Sequence, residues 1–313
     1  MRRKLSLTTC WVKDWKACYS ATAHPRKTVR ELLFFFLLKV AGVLGDTGVG
    51  QRWPFRPAFQ LCLSALNPGS AVTHGHVLKL DPHDALRLSI DPIYEPLSTR
   101  VFAERIRPGD TVLDVGANIG YYALIAAQKA GPVGRVIAVE PDPENYALLR
   151  HNIHINGYDH VQPVCAAIAD RCGEADLWKA GRNWGGHSLF SDRKKSARVR
   201  VKTTTIDAYL ESVPGDVHFI KMDIEGAEPL ALAGMRRTLE RCRAVSIMSE
   251  IAPSALRAAD QSPMTYAENL QGHGFVISIV DETSTRLQPA SASTISERCN
   301  RSSQPFNILC TRG

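Results

Sequence analysis

One stretch constrains the fold of this chain more than any other: residues 112–120, VLDVGANIG, followed by Val139, Glu140 and Pro141. The first half is an apolar strand running into a tight turn of small residues and then the start of a helix. Val139 and Glu140 close a second apolar strand on a carboxylate. Alternation of this kind predicts a parallel sheet with helices on both faces, and places any ligand beyond the carboxyl ends of the strands. Glycines admit a ligand close to the backbone, a helix N-terminus presents free N–H groups, and an acid two elements on can accept both hydroxyls of a ribose.

The spacing is not that of a dinucleotide fingerprint, which would need glycines at 116, 118 and 121, where this chain has Gly116, Asn118 and Tyr121. Asp114 at the strand end also opposes a pyrophosphate. It suits a cationic nucleoside ligand such as S-adenosylmethionine, which carries a sulfonium and an amino group.

Strand and helix signals continue through the chain. The runs 76–80 and 85–90 flank a turn at 81–84 and predict a hairpin; a helix is expected over 97–106. Strand 111–116 leads to helix 121–130, and strand 135–140 to a helix opened by Asp142 and Pro143 and stopped by Gly157. Residues 161–168 read as a third strand. Residues 175–178 and 197–202 read as antiparallel additions around the glycine-rich loop 181–191, and 205–210 as a short helix. Strand 217–224, helix 229–241, strand 244–251 and a helix around 266–272 follow. Segments 275–281 and 305–310 read as a closing antiparallel pair. The expected fold class is therefore α/β, a doubly wound and mostly parallel sheet with an N-terminal helical and hairpin extension. Residues 1–75 form that basic extension and 76–313 the domain, with its core over about 111–281.

The net charge of +7 over 313 residues is concentrated at one end. Residues 1–30 carry eight basic side chains against the single acid Asp14, which accounts for the whole excess. The rest is balanced, so the charge describes a solvated tail, one that could touch an anionic membrane surface weakly, and not a nucleic-acid-binding domain. The eight cysteines include no C-x-x-C pair and read as reduced thiols of a cytoplasmic protein. The apolar run 32–44 contains Lys39 and is short for a membrane span; it reads as a helix packed on the domain or lying at a membrane surface.

Four features in order then resemble the FkbM-type S-adenosylmethionine-dependent methyltransferases of the class I, Rossmann-like fold. These are Tyr94-Glu95-Pro96, the Asp114 to Gly120 turn, Val139-Glu140-Pro141 and, most specific, IKMDIEGAE over 220–228. The likeness spans about 84–310. It implies an enzyme that transfers a methyl group from S-adenosylmethionine to a hydroxyl of a small molecule, polyketide or glycan. The alternatives are a nucleic-acid methyltransferase, supported only by the basic tail, and a non-catalytic cofactor-binding scaffold.

Asp114 would then face the sulfonium end of the cofactor, Gly116, Asn118 and Gly120 would form the close-approach turn, and Glu140 would take the ribose. Ala167 and Asp170 would border adenine. Asp223, Glu225 and Glu228 admit three readings: a general base, a divalent-cation site, or ligands for acceptor hydroxyls. Glu228 has an ordinary competing role as a first-turn helix acid. Glu250, ending the next strand, should lie beside this group, and His187 is a second candidate base. Trp184, Tyr94 and Glu95 are placed near the acceptor or over the cofactor.

Overall fold

The computed structural model describes residues 68–180, 185–190 and 197–312, and the segment Gly69–Gly313 forms one compact unit. Its centre is an eight-stranded sheet. In chain order the strands of that sheet are β3 (Thr111–Val115), β4 (Arg135–Val139), β5 (Val161–Val164), β9 (Phe219–Met222), β10 (Ser246–Ile251), β11 (Val276–Asp281), β12 (Arg286–Ala290) and β13 (Phe306–Thr311). Their spatial order is β12-β11-β13-β10-β9-β3-β4-β5. The five strands from β10 to β5 run parallel, while β13 is antiparallel to both β10 and β11. This is the class I methyltransferase arrangement, with strand order reversing between β3 and β9.

Helices cover both faces: α1 (Pro96–Arg105), α2 (Tyr121–Ala130), α3 (Pro143–Ile155), α4 (Ile206–Leu210), α5 (Glu228–Ala233), α6 (Arg236–Arg241), α7 (Pro253–Ala258), α8 (Pro263–Gly272) and α9 (Ala292–Arg301). Alternation along the central strands splits their side chains between two cores. Leu113, Val115, Ile220, Met222, Ile247 and Ile251 pack toward α5, α6 and α8, whereas Val112, Val136, Phe219 and Met248 pack toward α1 and α2. That parity matters downstream. Asp114, Glu140, Asp223 and Glu250 fall in phase with the second set, so all four acids emerge on the α1/α2 side at the carboxyl edge.

A three-stranded sheet, β6-β8-β7, stands beside the main one and is built from β6 (Ala167–Ile168), β7 (Gly173–Lys179) and β8 (Ala197–Thr204). Several boundaries differ from expectation. The hairpin is β1 (Ser70–Thr73) with β2 (His76–Lys79), not 76–80 with 85–90. Residues 81–90 coil instead, because Asp81 accepts from the His83 and Ala85 N–H groups and Asp84 from those of Leu88 and Ser89. The expected strand 161–168 divides between the two sheets, β5 pairing with β4 and β6 with β8. The expected helix 229–241 breaks at Gly234, whose packing against the Ala169 carbonyl leaves no room for a Cβ. β12, α7 and α9 had no counterpart in the sequence reading.

No described helix is long and apolar enough to cross a membrane. The apolar run 32–44 lies outside the described residues, as does the basic tail.

Candidate active site

The cavity opens at the carboxyl edge of β3, β4 and β9, where the strand order reverses. Gly116 follows β3 at φ +83°, and its turn runs so close to β9 that a Cβ there would sit 1.9 Å from the Asp223 carbonyl oxygen. Glycine is required here on both counts. The turn continues through Asn118, itself left-handed at φ 49°, to Gly120, which stands at the N-cap of α2 beneath Leu149 and does not line the cavity.

Glu140 is buried immediately after β4. Its two oxygens accept from the Asn118 N–H at 2.8 Å and the Asp142 N–H at 2.9 Å, which orients the carboxyl into the cavity. Burial raises its pKa to about 8, against the pull of those two N–H groups. Asp114 is 1% exposed, and neither of its oxygens meets hydrogen-bond geometry with a described group. Desolvation raises it to about 6, partly offset by Lys221.

Lys221 is the cation at the centre of this edge. It is 2% exposed, stands directly opposite Asp114 across the β3–β9 pair, and places its Nζ 3.1 Å from Asp223 Oδ2 and 4.4 Å from the Tyr122 ring centroid. Burial works against its charge, but Asp223, Asp114 and Glu95 outweigh that and raise its pKa. Asp223 thus carries a fixed counter-ion while still lining the cavity.

Beyond Asp223 the chain turns through Glu225 at φ 50° and Gly226 at φ 97°. Glu228 ties this turn: its oxygens accept from the Ile224 N–H at 2.9 Å and the Gly226 N–H at 3.0 Å. Burial raises it to about 7, and it does not line the cavity. Glu225 does line it, and its carbonyl accepts from the Ser188 hydroxyl at 2.7 Å. Ser188 also bridges to Trp178 of β7, so the end of the glycine-rich loop is clipped at two points over the cavity. His187, beside it, is buried and accepts the Ala180 N–H at Nδ1, with Nε2 3.9 Å from Asp142 Oδ2. A neutral imidazole in that bond carries its proton on Nε2.

Glu250, the penultimate residue of β10, stands one step past the Ser249–Met222 pairing, which brings it beside Asp223. Tyr94 borders the same part of the cavity. Glu95 does not: it turns away, accepting from the Tyr122 hydroxyl at 3.0 Å and from Asn307 at 2.9 Å. Ala167 lines the cavity together with Ala166 and Ile168, whereas Asp170 is exposed next to Arg171 and lies outside it. Trp184 lies outside the described residues. Tyr121 and Tyr122 are further lining residues that sequence reasoning missed; their signal was an aromatic pair directly after the glycine turn. Among the described residues, no three His, Cys, Asp or Glu side chains converge as a metal site, so Asp223, Glu225 and Glu228 do not offer a divalent cation a ligand set.

Residues 114–277, just over half of the chain, match the FkbM methyltransferase domain. The chain belongs to the FkbM methyltransferase family. The matched span runs from Asp114 into β11 and contains Glu140, the glycine-rich loop and the 220–228 motif. Among curated relatives, the chain is 49% identical over 58 residues to a protein-L-isoaspartate O-methyltransferase of Methanopyrus kandleri, covering 18% of this chain and 26% of that one. It is 28% identical over 144 residues to the hexuronic acid methyltransferase AglP of Haloferax volcanii, covering 45% of this chain and 56% of that one. The chain thus spans from about a quarter to about half the length of these relatives. A solved FkbM methyltransferase from Methylobacillus flagellatus superposes with a TM-score of 0.40 at 15% identity, over 72% of this chain and 52% of that one.

Proposed function

We propose that this FkbM-family chain is an S-adenosylmethionine-dependent methyltransferase that acts on a hydroxyl of a small molecule or glycan. The observation that carries the reading is Asp114: a buried carboxyl on one edge with Glu140, lining a ligand-sized cavity, whose one backbone donor, the Ala123 N–H, falls short of full hydrogen-bond geometry. A fold does not bury such a group for its own sake. A cofactor with a cationic methionine end and a ribose satisfies both acids.

In this reading Glu140 accepts the ribose hydroxyls through lone pairs not used by Asn118 and Asp142. Gly116 and Asn118 line the path of the backbone beside the ligand, and Ala166, Ala167 and Ile168 form an apolar wall for the base. Asp114 balances the positive end. S-adenosylmethionine supplies, when bound, an activated methyl group whose departure leaves a neutral thioether. The protein's share is then positioning and removal of the acceptor's proton. Asp223 takes that proton in this reading: it lines the cavity, and its carboxylate pairs with Lys221 at 3.1 Å. His187, held by the Ala180 N–H at Nδ1, lines the same cavity. Glu225 and Glu250 line the acceptor end.

Calorimetric titration with S-adenosylmethionine and S-adenosylhomocysteine tests the proposal. Wild-type protein should bind both, and Glu140→Ala should weaken binding by at least tenfold, the scale of losing hydrogen bonds to a charged group. Well-folded wild-type protein that binds neither ligand would refute the reading.

A further inference from the structure

We infer that Glu250 is the acceptor-selecting residue: its carboxyl holds a second hydroxyl next to the one that is methylated, so the acceptor presents a vicinal diol, as a sugar or cyclic polyol does. The inference rests on the methyltransferase reading above and adds the substrate class of its acceptor end.

Glu250 is 7% exposed, lines the cavity, and its Oε2 is buried with no hydrogen-bond partner among the described residues. The strand pairing ends at Ser249 with Met222, so Glu250 and Asp223 are the next residues of neighbouring strands on the same face, set about 4.8 Å apart by the strand spacing. Two hydroxyls on neighbouring carbons can reach two side chains so spaced. Lys221 makes its hydrogen bond to Asp223. Burial first, and then the nearby charges of Asp223, Glu225, Glu95 and Glu228, raise its pKa well above the ordinary carboxyl range; of these acids Asp223 and Glu225 share the cavity with it. A buried carboxyl oxygen aimed into the cavity accepts from an acceptor hydroxyl. Tyr94 completes the site. Its hydroxyl lies within the field of Asp223, Glu250 and Glu225, and burial chiefly, then these acids, raises its pKa. A ring beside paired carboxyls offers the C–H face and the hydroxyl edge of a cyclic polyol separate surfaces.

The test uses the full chain saturated with S-adenosylhomocysteine, titrated with trans-1,2-cyclohexanediol, its cis isomer and cyclohexanol as probes, in wild type, Glu250→Gln and Glu250→Leu. Wild type should bind one diol about tenfold more tightly than cyclohexanol, the order expected when a buried polar group is left unpaired by the wrong ligand. Glu250→Gln, which still offers an acceptor oxygen, should keep that preference, and Glu250→Leu should lose it. A purely structural role would behave otherwise. Glu250→Leu should melt no lower than wild type and bind S-adenosylhomocysteine unchanged, because it removes an unsatisfied buried group. Equal affinity for diol and cyclohexanol in wild type, no binding of either diol, retained preference in Glu250→Leu, or a lowered melting temperature in that variant would each overturn the inference. Failure of wild type to bind S-adenosylhomocysteine would remove the methyltransferase reading itself, and this inference with it.

Discussion

At the scale of single residues, Lys221 organises the site. A lysine on a central parallel strand is tolerated because its ammonium meets Asp223 at 3.1 Å and the face of Tyr122 at 4.4 Å, with Asp114 opposite. Replacing it by methionine preserves shape but strands three carboxylates, those of Asp223, Asp114 and Glu95. We expect Lys221→Met to cost about 3 kcal/mol near neutral pH by chemical denaturation. The deficit should shrink toward pH 5, since without the cation these acids take up protons more readily in the folded state than in the unfolded one. A deficit independent of pH would place the cost in packing instead. The motif around Lys221 was plain in the sequence, but its reach was not. Nothing in the spacing showed that Asp114, some hundred residues earlier, stands across from it.

At the scale of elements, helix ends decide where the site residues point. α3 is capped from within its own sequence, Asp142 accepting from the Glu144 and Asn145 N–H groups, as the Asp-Pro start foretold. α1 is not. Its N-cap, Glu95, is left-handed at φ 43° and gives no side-chain cap. The free N–H groups of Leu97 and Ser98 are met at 2.8 and 2.7 Å by Glu282, which follows β11. Glu282→Ala should therefore cost roughly 1–2 kcal/mol, the worth of an N-cap, with faster amide exchange at Leu97 and Ser98. Unchanged exchange there would show that other groups cap the helix. The hairpin error has the same origin: Asp81 and Asp84 spend their oxygens on neighbouring N–H groups and coil a stretch whose alternation looked strand-like.

At the scale of the whole molecule, the site concentrates buried acids whose folded pKa values are raised, including Asp114 at about 6, Glu228 at about 7 and Glu140 at about 8. A raised acid binds more protons folded than unfolded, so its contribution falls as pH climbs from its unfolded value through its folded one. The lowered histidines His74 and His76 act oppositely, but only below about pH 6.5, their unfolded value. Between pH 6.5 and 8.5 the raised acids dominate, Glu250 and Glu95 acting in the same direction, and the ligand-free protein should lose at least on the order of 2 kcal/mol, with Glu140, Glu228 and Glu250 the main sources. Urea denaturation at the two pH values checks this, and constant stability would mean that those carboxyls are ionised throughout. S-adenosylhomocysteine should narrow the gap, because donors to Glu140 favour its charged form.

The sequence by itself determined the layered α/β architecture, the parallel core with its antiparallel closing pair, and the positions of Asp114, Glu140, Asp223 and Glu250 at strand ends. These are local matters: apolar periodicity, glycine at a forbidden turn, and an acid ending an apolar run. Tertiary structure alone decided which acids share the cavity. Asp170 and Glu95, a few residues from lining positions, turn out of it, and Glu228 spends both oxygens on the turn that it starts. A carboxylate's role depends on which N–H, cation or void its two oxygens meet. Those partners come from segments far apart in the chain, brought together only when the sheet register sets them opposite one another.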